Sequence, residues 1–217
     1  LSRLDANVCG LGIDDFYLPK ADRLALARHV HPLFETRGPP GTHDVALLLE
    51  TLSALQTARS SSHIQLPLFS KAADDRLPET HDWHGRPDII IVEGWLMGVD
   101  ADPSSPESAP LNAVEARDET GDWRRFQEKQ LAGAYARLWD RADAFIHLDA
   151  PGFDTVLSWR LQQEAGNLGK PSGTLTPDET AWVETFILHY QRLTERLLAG
   201  RRRDGEVIRV GPDRRLL

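Results

Sequence analysis

Asp14 and Asp15 stand side by side, and Glu93 closes an apolar run at 89–92. Carboxylates in such places can take a proton from an attacking hydroxyl or hold a divalent cation. Adjacent side chains on an extended backbone point to opposite faces, so Asp14 and Asp15 are expected to divide the work. A helix cap or solvated turn is the alternative for the pair, and Phe16 and Tyr17 directly after it argue against that. For Glu93 the alternative is a cap or a surface acid. Lys71 and the run Asp74, Asp75, Arg76 add charge of both signs, and Asp149 ends a further apolar stretch. Arg160 precedes Glu164 by one helical turn, which suits either a surface ion pair or an arginine on a mobile lid that closes over a transferred anionic group.

Other chemistries find little support. His81 and His84 are spaced to clip a metal, but no third ligand of suitable spacing follows, and the stretch reads as a loop with surface histidines. His29 and His31 cannot share a helix face. The one cysteine, Cys9, excludes an internal disulfide and a cysteine-based zinc site. There is no dinucleotide glycine pattern, nucleophile elbow or Cys–His arrangement.

The elements that must position these residues alternate between strand and helix. Strands are expected at 7–13, 88–92, 144–148 and 206–210, with a short apolar stretch at 64–68. The run 88–92 reads as a parallel strand buried on both faces. Helices are expected over 21–36, over 45–58 with Asp44 as cap, through most of 112–141, and over 153–166. A capping box at Thr176, Pro177, Asp178 and Glu179 opens one more helix, continuous to Gly200. Residues 167–173, rich in Gly and Pro, are expected to be mobile. Trp95, Trp123 and Trp139 are expected in the core. Strands separated by helices imply right-handed crossovers and an α/β fold, a doubly wound parallel sheet flanked by helices, in one domain. Ligands of such sheets sit at the carboxyl ends of the strands. Asp14, Asp15, Glu93, Asp149 and the basic cluster around Lys71 should therefore converge on one edge.

Composition bounds the function. The 217 residues suffice for one α/β domain with a proper core. Twenty-five Lys and Arg against 33 Asp and Glu leave −8, which disfavours a sequence-independent grip on nucleic acid. A few focused basic residues would still serve a small anion. No apolar run approaches the roughly 20 residues of a membrane span, and no secretion signal opens the chain, so a cytoplasmic protein is expected. The chain starts at Leu1 and its only methionine is Met97, so a lost or omitted segment is expected before Leu1.

Six segments occur in an order and wording that resemble the glycerate kinase group of P-loop kinases, relatives of uridine kinase, pantothenate kinase and phosphoribulokinase. They are IDDFYLP (13–19), HPLFETRGPPGTHD (31–44), LPLFSKAADDRLP (66–78), IIIVEGWLMG (89–98), PLNAVE (110–115) and WRLQQE (159–164). The resemblance implies a P-loop kinase fold with a helical lid near 153–175. It further implies ATP and Mg²⁺ as cofactors and phosphorylation of a small hydroxy acid, D-glycerate first. By position, Asp14 matches the base and Glu93 the Mg²⁺-side acid, with Asp14 a second candidate ligand. Arg160 matches the lid arginine over the ATP phosphates, with Gln163 beside it. Asp15, Tyr17, Arg37, Thr42, His43, Lys71, Asp75 and Arg76 fall on the substrate side. Ser70 departs from the group, which usually has Asp there. The phosphate loop G-x-x-x-x-G-K-[S/T] is absent from the chain; 1–4 reads as the tail of the helix that follows it, so the loop and the first central strand are expected upstream. Another acceptor, a non-catalytic nucleotide-fold protein, and a metal-dependent hydrolase using Asp14, Glu93 and Asp149 are the competing readings.

Overall fold

Three short strand pairs and seven α-helices carry the chain in the computed structural model, which describes residues 6–217. The expected helix tail at 1–4 lies outside those residues. The first strand, β1 (Val8–Gly12), runs into a 3-10 turn, Ile13–Phe16, and then into α1 (Lys20–His29). The helix expected to reach 36 stops at 29, because Pro32 disfavours helical geometry in the residue before it. His31 is accordingly extended, and a separate 3-10 turn, Pro32–Glu35, follows. Asp44 caps α2 (Val45–Gln56) as expected, its carboxylate accepting from the Leu47 amide.

The largest difference from the sequence reading comes next. Strand β2 (His63–Ser70) turns back on β3 (Asp75–His84) as an antiparallel hairpin, where only one short strand and then a loop were expected. Its second arm, DRLPETHDWH, has few apolar residues and lies mostly in solvent, so no hydrophobic alternation marked it. β4 (Ile89–Glu93) then pairs in parallel with β1, from Val8 opposite Ile89 to Gly12 opposite Glu93. Ile90 and Val92 pack on the core, but Ile89 and Ile91 are 39% and 41% exposed, so this strand is not covered on both faces.

The region 112–141 is more broken than its composition suggested. A 3-10 turn at Glu115–Arg117 leads to α3 (Asp122–Gln130), a π-helical turn at Leu131–Tyr135, and α4 (Ala136–Trp139). Beyond it lie β5 (Ile146–Asp149), α5 (Phe153–Asn167), α6 (Pro177–Leu188), α7 (Gln191–Leu198) and β6 (Glu206–Arg209), the last parallel to β5. The predicted capping box opens α6, but the helix breaks at His189 and Tyr190 before α7 resumes. The α/β class with parallel strands joined by helical crossovers stands, though among the described residues the two parallel pairs share no hydrogen-bonded ladder. Cys9, Leu11, Ile13, Leu48, Leu55, Leu96, Leu131 and Tyr135 form the centre of the core; Trp123 and Trp139 are buried too, and Trp95 packs at its edge.

Candidate active site

The carboxyl ends of β1 and β4 lie side by side, and that register brings Asp14, Asp15 and Glu93 together. Gly12 is paired with Glu93, whose Oε1 would stand 2.9 Å from a Cβ on Gly12. A side chain at this position would push the carboxylate off β1, so glycine leaves room for it to lie there. The backbone at Asp14 and Asp15 is a 3-10 turn rather than extended, yet the two side chains still divide. Asp14 Oδ2 lies 2.9 Å from Lys71 Nζ, and its Oδ1 accepts from the Tyr17 hydroxyl at 2.7 Å. Asp15 turns to the hairpin and accepts from the Phe69 amide at 3.2 Å.

These surroundings push the two acids apart. Burial alone would raise the Asp14 carboxyl, but the hydrogen bonds from Lys71 and Tyr17, with the charges of Lys71 and His43, hold it below its ordinary value. Glu93 moves the other way. Partial burial raises it and the negative charges of Asp14 and Asp15 add to that, with Lys71 only partly offsetting them. Asp14 is thus the more acidic of the two, and Glu93 the one with excess negative field around it. An oxygen-rich acidic group of this kind is suited to a hard cation, which takes one or two carboxylates and keeps water on its other positions.

A prediction follows from the Glu93 shift. A carboxyl whose folded pKa is raised stabilises the fold below its unfolded value, and that contribution is lost as pH rises through the folded one. At neutral pH the ionised Glu93 therefore costs stability. Glu93→Gln should melt at a higher temperature than the parent at pH 7 without added metal, and the gain should vanish near pH 4. Equal melting temperatures at both pH values would contradict the crowding of charge at this point.

The substrate-side residues split between those that face the acids and those that shape the wall. The ring of Tyr17 stacks on His43 at 4.6 Å and meets Phe69 edge-on at 5.0 Å. His43 is buried, and burial pushes its imidazole down from 6.5 to about 4 despite the nearby Asp14, so it is neutral at physiological pH. Its Nδ1 lies 2.6 Å from the Tyr135 hydroxyl, which also accepts from the Gly41 amide at 3.1 Å. Thr42 is fully buried; its hydroxyl accepts from the Gly38 amide and donates to the Pro39 carbonyl, closing the 37–43 loop on itself. Gly38 holds φ +111°, and a Cβ there would overlap the Tyr190 ring. Tyr190 donates to the Arg37 carbonyl at 2.7 Å. Arg37 pairs with Asp74 at 2.7 Å. The same Asp74 takes Arg23 at 3.0 Å, and Lys20 lies 3.9 Å away. Asp75 accepts from the Lys20 amide at 2.7 Å, and Arg76 donates to the Tyr17 carbonyl at 2.8 Å and to Asp44 at 3.3 Å.

Two sequence-level candidates stand apart from this group. Arg160 sits on α5, donating to Gln163 at 2.7 Å and Glu164 at 3.1 Å, with its guanidinium 5.2 Å from the Phe186 ring. Asp149 does not join the acids: it is held by both guanidinium nitrogens of Arg202. That pairing removes the third carboxylate on which the hydrolase reading relied.

Tyr135 and Tyr190 are the residues that sequence reasoning missed. No motif signalled Tyr135, which sits at the end of the π turn. Tyr190 lay inside a helix read as unbroken.

No family model matches the chain. An uncharacterised kinase of Schizosaccharomyces pombe, mug58, is 28% identical over 205 residues, covering 88% of this chain and 70% of its own length. The solved D-glycerate 3-kinase of Cryptococcus neoformans superposes over 99% of this chain and 80% of its own, with TM-score 0.81 and 25% identity. This chain is a P-loop kinase. The chloroplastic D-glycerate 3-kinase of Arabidopsis thaliana is 31% identical over 192 residues, which is 83% of this kinase but 39% of the plant protein.

Proposed function

We propose that this kinase transfers the terminal phosphoryl group of ATP to a hydroxyl of a small organic acid, with D-glycerate the first candidate. The observation that carries the proposal is Asp14, kept ionised by Lys71 and Tyr17 at the carboxyl end of β1, beside Glu93. An ionised carboxylate at that point orients a substrate hydroxyl and takes its proton as the new bond to phosphorus forms. Phosphoryl transfer asks mainly for positioning and charge stabilisation, so a base of low pKa is adequate. Lys71, its side chain 62% exposed, can share its ammonium between Asp14 and a substrate carboxylate. Arg37, anchored by Asp74, and Arg76 add positive charge on the same wall, which suits an acid over a neutral acceptor. Tyr17 and His43 supply a flat, neutral surface beside them.

Mg²⁺, when bound, neutralises charge on the phosphates, and Glu93, with Asp14 as a second ligand, would hold it. Arg160, steadied by Gln163 on α5, supplies positive charge from the lid, taken as roughly 153–175, within a single kinase domain.

The test is ADP release by the full-length protein with Mg²⁺ against D-glycerate, pantothenate, a nucleoside and a sugar. Release dependent on both D-glycerate and Mg²⁺ is expected. Turnover with another acceptor alone would reassign the substrate, and a folded protein that turns over none of them would end the proposal of a small-acid acceptor.

A further inference from the structure

Histidines remain on the hairpin that the kinase chemistry does not use. His63 begins β2 and His84 ends β3, and the register sets them directly opposite one another. Asp82 lies two residues before His84, so it projects from the same face of β3. The opposite face is spoken for: Leu66 belongs to the core, and Ile64 and Trp83 pack against it. Packing on that side forces His63, Asp82 and His84 outward together. This end of the hairpin is about 23 Å along β2 from Ser70, which precedes the Lys71 turn, at ~3.3 Å per residue.

We propose that His63, Asp82 and His84 bind a divalent transition-metal cation of the zinc class on the outer face of the β2–β3 hairpin. One ligand atom from each residue lies within 4.8 Å of the other two. His63 Nε2 is 3.0 Å from Asp82 Oδ1, and the two imidazole rings are parallel with centroids 4.6 Å apart. Zinc takes imidazole nitrogen and carboxylate oxygen at about 2.0–2.2 Å, so small side-chain rotations bring all three donors onto one ion with the backbone unmoved. Two nitrogens and one oxygen favour zinc, cobalt or nickel over magnesium or calcium, which want oxygen throughout. The donors are exposed, which provides entry and leaves a fourth position to water. Sequence spacing pointed to His81 with His84, but residues three apart on a strand face opposite ways; the third ligand comes from across the ladder. The proposal is independent of the kinase reaction, and its effect is local: an ion here ties the first residue of β2 to the last of β3.

Titration of the full-length protein with ZnCl₂ in the absence of ATP, followed by calorimetry, tests it, with the visible absorption of bound Co²⁺ as a second readout. The parent should bind Zn²⁺, and Co²⁺ should show tetrahedral absorption. His63→Ala, His84→Ala and Asp82→Asn should each weaken binding roughly tenfold or more, at least what loss of a supporting group costs, and remove the Co²⁺ signal. His81→Ala, on the same strand but the other face, should match the parent. Zn²⁺ should also raise the melting temperature of the parent and not that of His84→Ala. A parent that binds no tighter than His63→Ala, or an equal loss in His81→Ala, would overturn the assignment.

Discussion

Asp14→Asn should fold like the parent and lose kcat by about 10²- to 10⁴-fold, the usual worth of a positioned proton acceptor. Asparagine keeps the shape and can still accept from Tyr17, but it cannot take a proton. The depressed pKa of Asp14 means that its ionised form stabilises the fold above about pH 3.8, and that this is lost as pH falls through the lower folded value. Its partner Lys71 is largely solvated, so the substitution should cost no more than about 1 kcal/mol at neutral pH. Activity and melting temperature are therefore expected to separate. Steady-state ADP release beside a thermal melt decides the matter; a variant that keeps its kcat would remove Asp14 from the chemistry altogether.

The largest effect on stability should come from a pair remote from the acids. Arg196 is 1% exposed, and its guanidinium meets both oxygens of Glu128 on α3, at 2.6 and 3.0 Å. It also donates to the Asp100 carbonyl, while Glu128 accepts from the Asp102 amide. Each charge exists in the interior only because the other does. Arg196→Leu should cost about 3–5 kcal/mol in urea unfolding, since Glu128 is left buried and uncompensated. Replacing Glu128 by Leu as well should recover much of the loss, because an apolar pair has no ion to desolvate. If the double variant were as unstable as the single one, the strength would lie in the backbone contacts rather than in the ion pair.

What could be read from the chain was whatever short-range physics decides. The parallel strand ending at Glu93, the Asp44 cap and the Thr176 capping box each depend on a few adjacent residues, and each is present. β3 escaped because a solvent-facing hairpin arm needs no apolar pattern: its hydrogen bonds come from β2. The break at Tyr190 escaped because no proline or glycine marks it; the hydroxyl bond to Arg37, 153 residues away, belongs to tertiary structure alone. For the acids, the strand-end rule placed Asp14, Asp15 and Glu93 correctly. It failed for Asp149, whose partner Arg202 comes from a remote loop.

Asp74 has a kinematic consequence. It carries φ +54°, and through Lys20, Arg23 and Arg37 it bolts the hairpin turn to α1 and to the 37–43 loop, with Asp75 and Arg76 adding further ties. That side of the cleft is one stiff jaw. Among the described residues, α5 makes no hydrogen bond to the jaw; Trp159 reaches Pro212, and Arg160 stays within its own helix. On the lid role proposed for α5, closure is expected to move α5 toward an acceptor side that these ties hold still.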